Sequence, residues 1–246
     1  MNKNTNGNKM GAAATVATVL VALAVVATAV ALYQNALAVQ FHLAPTCGAA
    51  CTVHIVPDAV RLSAEQVAAV EAATQGGRIL DPTRNQNNAS GTRTVSPDEL
   101  PAFVAEDIVP QMRALVADTI GTDMRLRGGD VFARTYEEGD FLNWHYDNNY
   151  SRGARVTAIL VVSANAANTS EVQYMEPVEG NVEAVPAGAG AAMLYHGDKV
   201  YHRVTRQGAG GRRTVFIFPF YEDPRFAPWG GFRDGVRKCT YALLGL

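Results

Sequence analysis

In the stretch GDFLNWHYDNNY, from Gly139 to Tyr150 of this 246-residue chain, His145 and Asp147 stand two apart in a segment composed like a strand. Side chains alternate across a strand, so an imidazole and a carboxylate at that spacing share one face. A third ligand can come from another strand of a closed sheet, and His196 and His202 in LYHGDKVYHRVTRQ are the candidates. Two imidazoles and one carboxylate on one side of a metal leave the other side open for substrate and dioxygen, a donor set suited to Fe(II). Downstream, GGRRTVFIFPF sets arginine at the head of an apolar strand. There a guanidinium can grip a carboxylate through two parallel hydrogen bonds. Taken singly these signals say little: a lone histidine is usually a core or surface residue, and an arginine before a strand is usually a solvated edge charge. Their order says more: His-x-Asp, a β-rich stretch, His-Arg-Val, then Gly-x-Arg.

The elements that must position these residues fall into two groups. Ser63-Ala-Glu-Gln is a capping box that opens the helix AEQVAAVEAATQ, closed by Gly76-Gly77. Ser96-Pro-Asp-Glu opens a second helical stretch, ELPAFVAEDIVPQMRALVADTIG, which Pro110 is expected to break or kink. Between them DPTRNQNNASGTRT reads as a polar loop. From Leu126 the grammar changes to short β-type runs, VFARTY, RVTAILVVS, EVQYM, AAMLYH and RTVFIFPF, separated by Gly, Pro, Asn and Asp clusters. The expected fold is α+β with a mainly β core, a barrel or sandwich supported by N-terminal helices.

The net charge of −2 offers no general footprint for nucleic acid. The N-terminus adds an appendage. No charged residue occurs from Met10 to Gln40, and Met10–Leu32 alone is 23 residues, where about 20 suffice to cross a bilayer. Lys3 and Lys9 precede the segment and no Lys or Arg follows until Arg61. The reading is a cytosolic tail over 1–9, a single-pass signal anchor over 10–32 and a linker over 33–52. A catalytic domain over 53–246 follows, with helical support over 53–125, a β-core over 126–222 and a tail over 223–246. That domain would be lumenal, in the endoplasmic reticulum or secretory pathway, or extracellular; a cleaved signal peptide is the rival reading. An oxidising lumen would permit a Cys47–Cys51 disulfide or a bridge to Cys239, and the sequons at Asn88, Asn149 and Asn168 suit it.

From about Asp130 to Glu222 the chain resembles the Fe(II)- and 2-oxoglutarate-dependent dioxygenases, and within them the prolyl 4-hydroxylase group. YEEGDFLNWHYDN is similar to that group's Tyr-x-x-Gly…His-x-Asp segment, and HRVTRQGAGGRR to its distal histidine followed ten positions on by a basic residue. The resemblance implies a double-stranded β-helix, or jelly roll, with catalytic iron ligands His145, Asp147 and His202. It implies Arg212 as the clamp on the far carboxylate of 2-oxoglutarate, with Tyr136 and Thr157 also at the co-substrate. On this reading Arg212 faces inward, Arg213 outward, and His196 is a strand-end or supporting residue. The implied cofactors are Fe(II), 2-oxoglutarate and dioxygen, with ascorbate as a further candidate. The implied substrate is a protein or peptide, prolyl residues of a proline-rich segment first. Leu142 replaces the family's aromatic three before the first histidine, and Arg212 stands where collagen-type relatives use lysine. Lysyl or small-molecule hydroxylation and a non-catalytic, cupin-like metal-binding module are the alternatives.

Overall fold

A computed structural model of the protein describes residues 52–228 except 76–77, 80–88, 91–92, 96, 128–130, 148, 177–179 and 186–187. It also describes Gly230 and single helical positions between Thr15 and Val26. Cys47, Cys51, Cys239 and Asn88 lie outside the described residues. The chain divides into two compact units, Met1–Thr46 and Cys47–Leu246.

The first unit corrects the membrane reading. Among the described residues no helix is long and apolar enough to cross a membrane. The described helical positions run from Thr15 to Val26. The expectation of an anchored, lumenal catalytic domain therefore falls away.

In the second unit, helix α1 (Ala64–Gln75) starts as its capping box requires. The Ser63 amide donates to Gln66 Oε1 at 2.9 Å, and the Gln66 amide donates to Ser63 Oγ at 3.2 Å. Helix α2 (Val109–Ile120) follows a π-helical turn, Val104–Ile108, and ends at Gly121, whose φ of 77° closes the last turn. Pro110 sits in the first turn of α2, where a missing amide hydrogen costs no internal bond, so it begins that helix rather than kinking one.

The strands are β1 (His54–Val56), β2 (Arg78–Ile79), β3 (Ala89–Ser90), β4 (Arg93–Val95), β5 (Arg125–Leu126), β6 (Phe132–Tyr136) and β7 (Phe141–His145). After them come β8 (Ser151–Ala164), β9 (Val172–Met175), β10 (Val182–Val185), β11 (Ala192–Tyr195), β12 (His202–Val204) and β13 (Arg213–Phe226). They form an eight-stranded sheet in the order β1-β11-β8-β13-β6-β4-β2, with β5 on β13, and a five-stranded sheet, β10-β9-β12-β7-β3. Antiparallel pairing and non-sequential strand order make this a jelly-roll core. The region expected to be helical support contributes strands too: β1 pairs with β11, and β4 with β6.

Each face of the larger sheet has its own apolar cluster. Phe216, Phe218 and Phe220 pack with Val156, Ala158 and Leu160 against Val70, Ile108, Met112 and Val116 of the helical layer. Val215, Ile159, Val161 and Met193 belong to the second cluster, with Tyr136, Tyr195 and Val204. The period-2 alternation of a strand thus sends one set of β13 side chains to the helices and the other to the space facing the smaller sheet.

Candidate active site

His145 ends β7, Asp147 follows two residues later, and His202 opens β12, directly across the ladder from His145. Leu142 pairs with Val204 while His145 pairs with His202, so β7 carries an extra residue in this stretch. Plain alternation would set Leu142 and His145 on opposite faces; with the bulge both line the same cavity. The Asp147 amide donates to the Gly197 carbonyl at 2.8 Å, which ties the carboxylate to the β11–β12 turn.

One atom from each of His145, Asp147 and His202 lies within 4.8 Å of the others. His145 Nε2 is 3.7 Å and His202 Nε2 4.0 Å from Asp147 Oδ1. The Nδ1 atoms lie 2.7 Å from the Asn143 carbonyl and 2.9 Å from the Val200 carbonyl, respectively. A carbonyl only accepts, so each Nδ1 carries its proton and each Nε2 presents a lone pair to the common point. Burial, then the neighbouring His202, holds His145 down to about 3, and burial also lowers His202. Burial alone would raise Asp147, but the Arg155 guanidinium, the two histidines and the Thr157 hydroxyl outweigh it and hold the carboxyl well below its usual range. Near neutral pH the donor set is two neutral imidazoles and a carboxylate, the protonation states that metal binding requires.

Asp147 is steadied from behind. Thr157 Oγ1 donates to its Oδ2 in a short 2.5 Å bond, and Arg155 Nη2 lies 3.4 Å from the same oxygen. Gly197 leaves the room: a Cβ there would collide with the Asp147 carboxylate and the Thr157 hydroxyl. Arg155 reads in the sequence as a solvated surface charge, yet it is buried; it and Gly197 act through contacts between strands that the sequence does not record.

The triad opens on a cavity of ≈ 410 Å³ whose walls include Tyr136, Thr157, Tyr195, Arg134, Arg155 and Arg213. Here the structure corrects the arginine. β13 begins at Arg213, which lies opposite Tyr136 on β6, and from that register Arg213, Val215 and Ile217 face the cavity. Arg213 is 1% exposed, and its guanidinium stacks 5.2 Å from the centre of the Tyr136 ring. Its Nη1 donates to the Ser170 carbonyl at 3.3 Å, while Nε and Nη2 are buried with no partner among the described residues. Arg212 instead precedes the strand: its backbone is clasped by Asn165, and its side chain, 30% exposed, approaches Glu137 at 3.9 Å. The loop behind Arg213 is fixed by buried Gln207, whose Oε1 accepts from the Thr169 and Ser170 amides.

His196 is not part of the triad. Its Nδ1 is 3.0 Å from the Arg155 carbonyl, and it lines a separate cleft with His54 and Glu222. Tyr136 is 2% exposed and Thr157 2%; both stand in the cavity wall.

At the level of sequence, no family model and no curated protein matches the chain. Solved structures do match in fold. A Pseudomonas putida prolyl-4-hydroxylase, 15% identical, superposes with a TM-score of 0.51 over 73% of this chain and 97% of its own. HygX from Streptomyces hygroscopicus, solved with nickel, 2-oxoglutarate and hygromycin B bound, is 13% identical with a TM-score of 0.53, over 70% and 83%. The epimerase SnoN, in complex with Fe3+, alpha ketoglutarate and nogalamycin RO, is 15% identical with a TM-score of 0.58, over 80% and 90%. The fold is therefore one shared by a prolyl-4-hydroxylase, a protein of the 2OG-Fe(II) oxygenase family from Burkholderia pseudomallei and an epimerase from nogalamycin biosynthesis.

Proposed function

We propose that the protein is an Fe(II)- and 2-oxoglutarate-dependent dioxygenase that hydroxylates a C–H bond of a peptide substrate, a prolyl residue in the first instance. One observation carries the reading. Two imidazoles and a carboxylate with their metal-facing atoms directed to one point share a cavity with Arg213, a buried guanidinium whose Nε and Nη2 have no hydrogen-bond partner among the described residues. An orphaned buried cation is unfavourable unless a ligand anion meets it, and a dicarboxylate chelating the metal at one end would do so at the other.

Each residue then has a physical task. The Asn143 and Val200 carbonyls fix the imidazole tautomers, and Thr157 and Arg155 keep Asp147 ionised and oriented. Arg213, braced by the Tyr136 ring and the Ser170 carbonyl, would hold the far carboxylate of the co-substrate. Val172, Val204, Val215 and Ile217 supply apolar wall that keeps water away. Fe(II), 2-oxoglutarate and dioxygen, when bound, supply the oxidation that converts C–H to C–OH as the keto acid decarboxylates to succinate. Small-molecule hydroxylation is the second reading, supported by the likeness to HygX and SnoN.

The test is succinate formation from 2-oxoglutarate by the Fe(II)-loaded protein, with and without a panel of proline-rich peptides read for a one-oxygen mass gain. Asp147→Ala should abolish turnover while leaving the circular dichroism spectrum unchanged. No iron-dependent succinate under any of these conditions would remove the oxygenase reading in favour of a binding module.

A further inference from the structure

The cavity carries more positive charge than the proposed co-substrate uses. Arg134, Arg155 and Arg213 line it against one carboxylate, Asp147, which already has Arg155 at 3.4 Å. Of the two carboxylates of a keto diacid, one goes to the metal beside the keto oxygen and the other to Arg213. Arg134 is left over. It lies two residues before Tyr136 on β6, so it presents to the same face. Its Nε is buried with no hydrogen-bond partner, and no ion pair reaches it among the described residues.

A second orphan shares that wall. Tyr195 is 0% exposed, and its hydroxyl oxygen is likewise buried without a partner. A phenol hydroxyl can donate a hydrogen bond as well as accept one, so it is available to a carboxylate. The register locates the pair. Arg134 lies opposite Val215, one strand step from the Tyr136–Arg213 pair. That step runs toward Pro219 and its partner Thr157, which bonds Asp147. Two donors without hydrogen-bond partners among the described residues, one charged and one neutral, thus line the same cavity as His145, Asp147 and His202.

Resting on the oxygenase reading, we propose that Arg134 and Tyr195 form a second carboxylate site and that the primary substrate carries a carboxylate, which this pair holds beside the metal. The substrate class is then an organic acid, a free amino acid or a peptide with a carboxylate next to the target carbon.

The experiment uses the full chain loaded with Mn(II) and saturated with 2-oxoglutarate, with acetate as the probe and acetamide as its neutral isostere. Paramagnetic broadening of the methyl proton signal reports weak binding near the metal. Acetate should broaden and acetamide should not. Arg134→Met should weaken acetate binding about tenfold or more, Arg134→Lys less, and Tyr195→Phe by a smaller factor. The dissociation constant for 2-oxoglutarate should stay within about twofold in all three variants, since its two carboxylates are met elsewhere. The proposal is overturned if wild type shows no acetate effect. It is equally overturned if acetate broadens as strongly in Arg134→Met, which means direct binding to the metal. A loss of 2-oxoglutarate affinity in Arg134→Met as large as in Arg213→Met would give the arginine to the co-substrate instead. No 2-oxoglutarate binding in wild type would mean failure of the oxygenase reading itself, a different result from any of these.

Discussion

Along β13, Phe216, Phe218 and Phe220 turn toward the helices, whereas Arg213, Val215 and Ile217 turn toward the cavity. The first set is fully buried; Phe216 meets Phe218 edge-on at 5.9 Å and Phe218 stacks on Phe220 at 6.1 Å between centres, surrounded by aliphatic side chains. The second set is also largely buried, but in a space where guanidinium and hydroxyl atoms lack hydrogen-bond partners among the described residues. One strand therefore carries a satisfied face and an unsatisfied one, a single backbone ladder supporting both. The satisfied face contributes stability through apolar burial; the unsatisfied one gives some of that stability up and keeps donors available for a ligand. Substitutions on the two faces should separate cleanly, one set changing folding and the other changing binding.

The largest effect is expected on the helix-facing side. Phe218→Ala removes a 0%-exposed ring and should cost about 3–5 kcal/mol of folding stability, read from denaturant midpoints. Metal and 2-oxoglutarate affinities of the fraction still folded should stay near wild type. On the cavity side, Arg213→Ala should weaken 2-oxoglutarate binding by ~30-fold or more, since losing one partner of a buried charge pair costs about 2–5 kcal/mol. Arg212→Ala should change it by less than ~1 kcal/mol, because that guanidinium is part-exposed and loosely paired. Calorimetric titration of both variants decides between them; equal losses would place both arginines at the ligand and break the two-face description.

A smaller change sharpens the same contrast. Gly197→Ala adds a methyl against the Asp147 carboxylate and the Thr157 hydroxyl, so the ligand must shift. Metal affinity should fall about 10–100-fold, the usual range for losing a supporting contact, with little change in melting temperature of the metal-free protein. A last effect concerns acid. His145 is held down to about 3, by burial first and His202 next. Its folded-state value thus lies below the unfolded one near 6.5, and the unfolded chain takes the proton first as pH falls. The metal-free protein should lose roughly 1–2 kcal/mol between pH 6.5 and 5 through this group, with further loss toward pH 3. His145→Gln should flatten that part of the stability profile by the same amount.

Residue type and spacing brought out His145 and Asp147, with His196 and His202 open as the third donor; the family resemblance singled out His202, Tyr136 and Thr157, and these three line one cavity with His145 and Asp147. The start of the first helix was legible for a local reason: Ser63 and Gln66 make their capping box within four residues of chain. Pro110 was readable as a boundary but not as which side of one, since that depends on the π-helical turn before it.

The choice between Arg212 and Arg213 depended on something the sequence does not contain. Two adjacent arginines after two glycines are locally equivalent, and only the pairing of β13 with β6, Arg213 opposite Tyr136, decides which one enters the cavity. A one-residue slip sends every side chain of a strand to the other face, so the register is a tertiary quantity. The bulge that turns Leu142 and His145 to the same side is of that kind, as are the Gly197 opening and the unpartnered Arg134–Tyr195 pair. By itself, the sequence brought out the start of the first helix, most strands from β6 onward and the donor atoms of His145 and Asp147, which follow from local bonds and residue type. The tertiary structure decided which neighbouring residue faces the ligand, because facing is set by long-range strand pairing that no local pattern records.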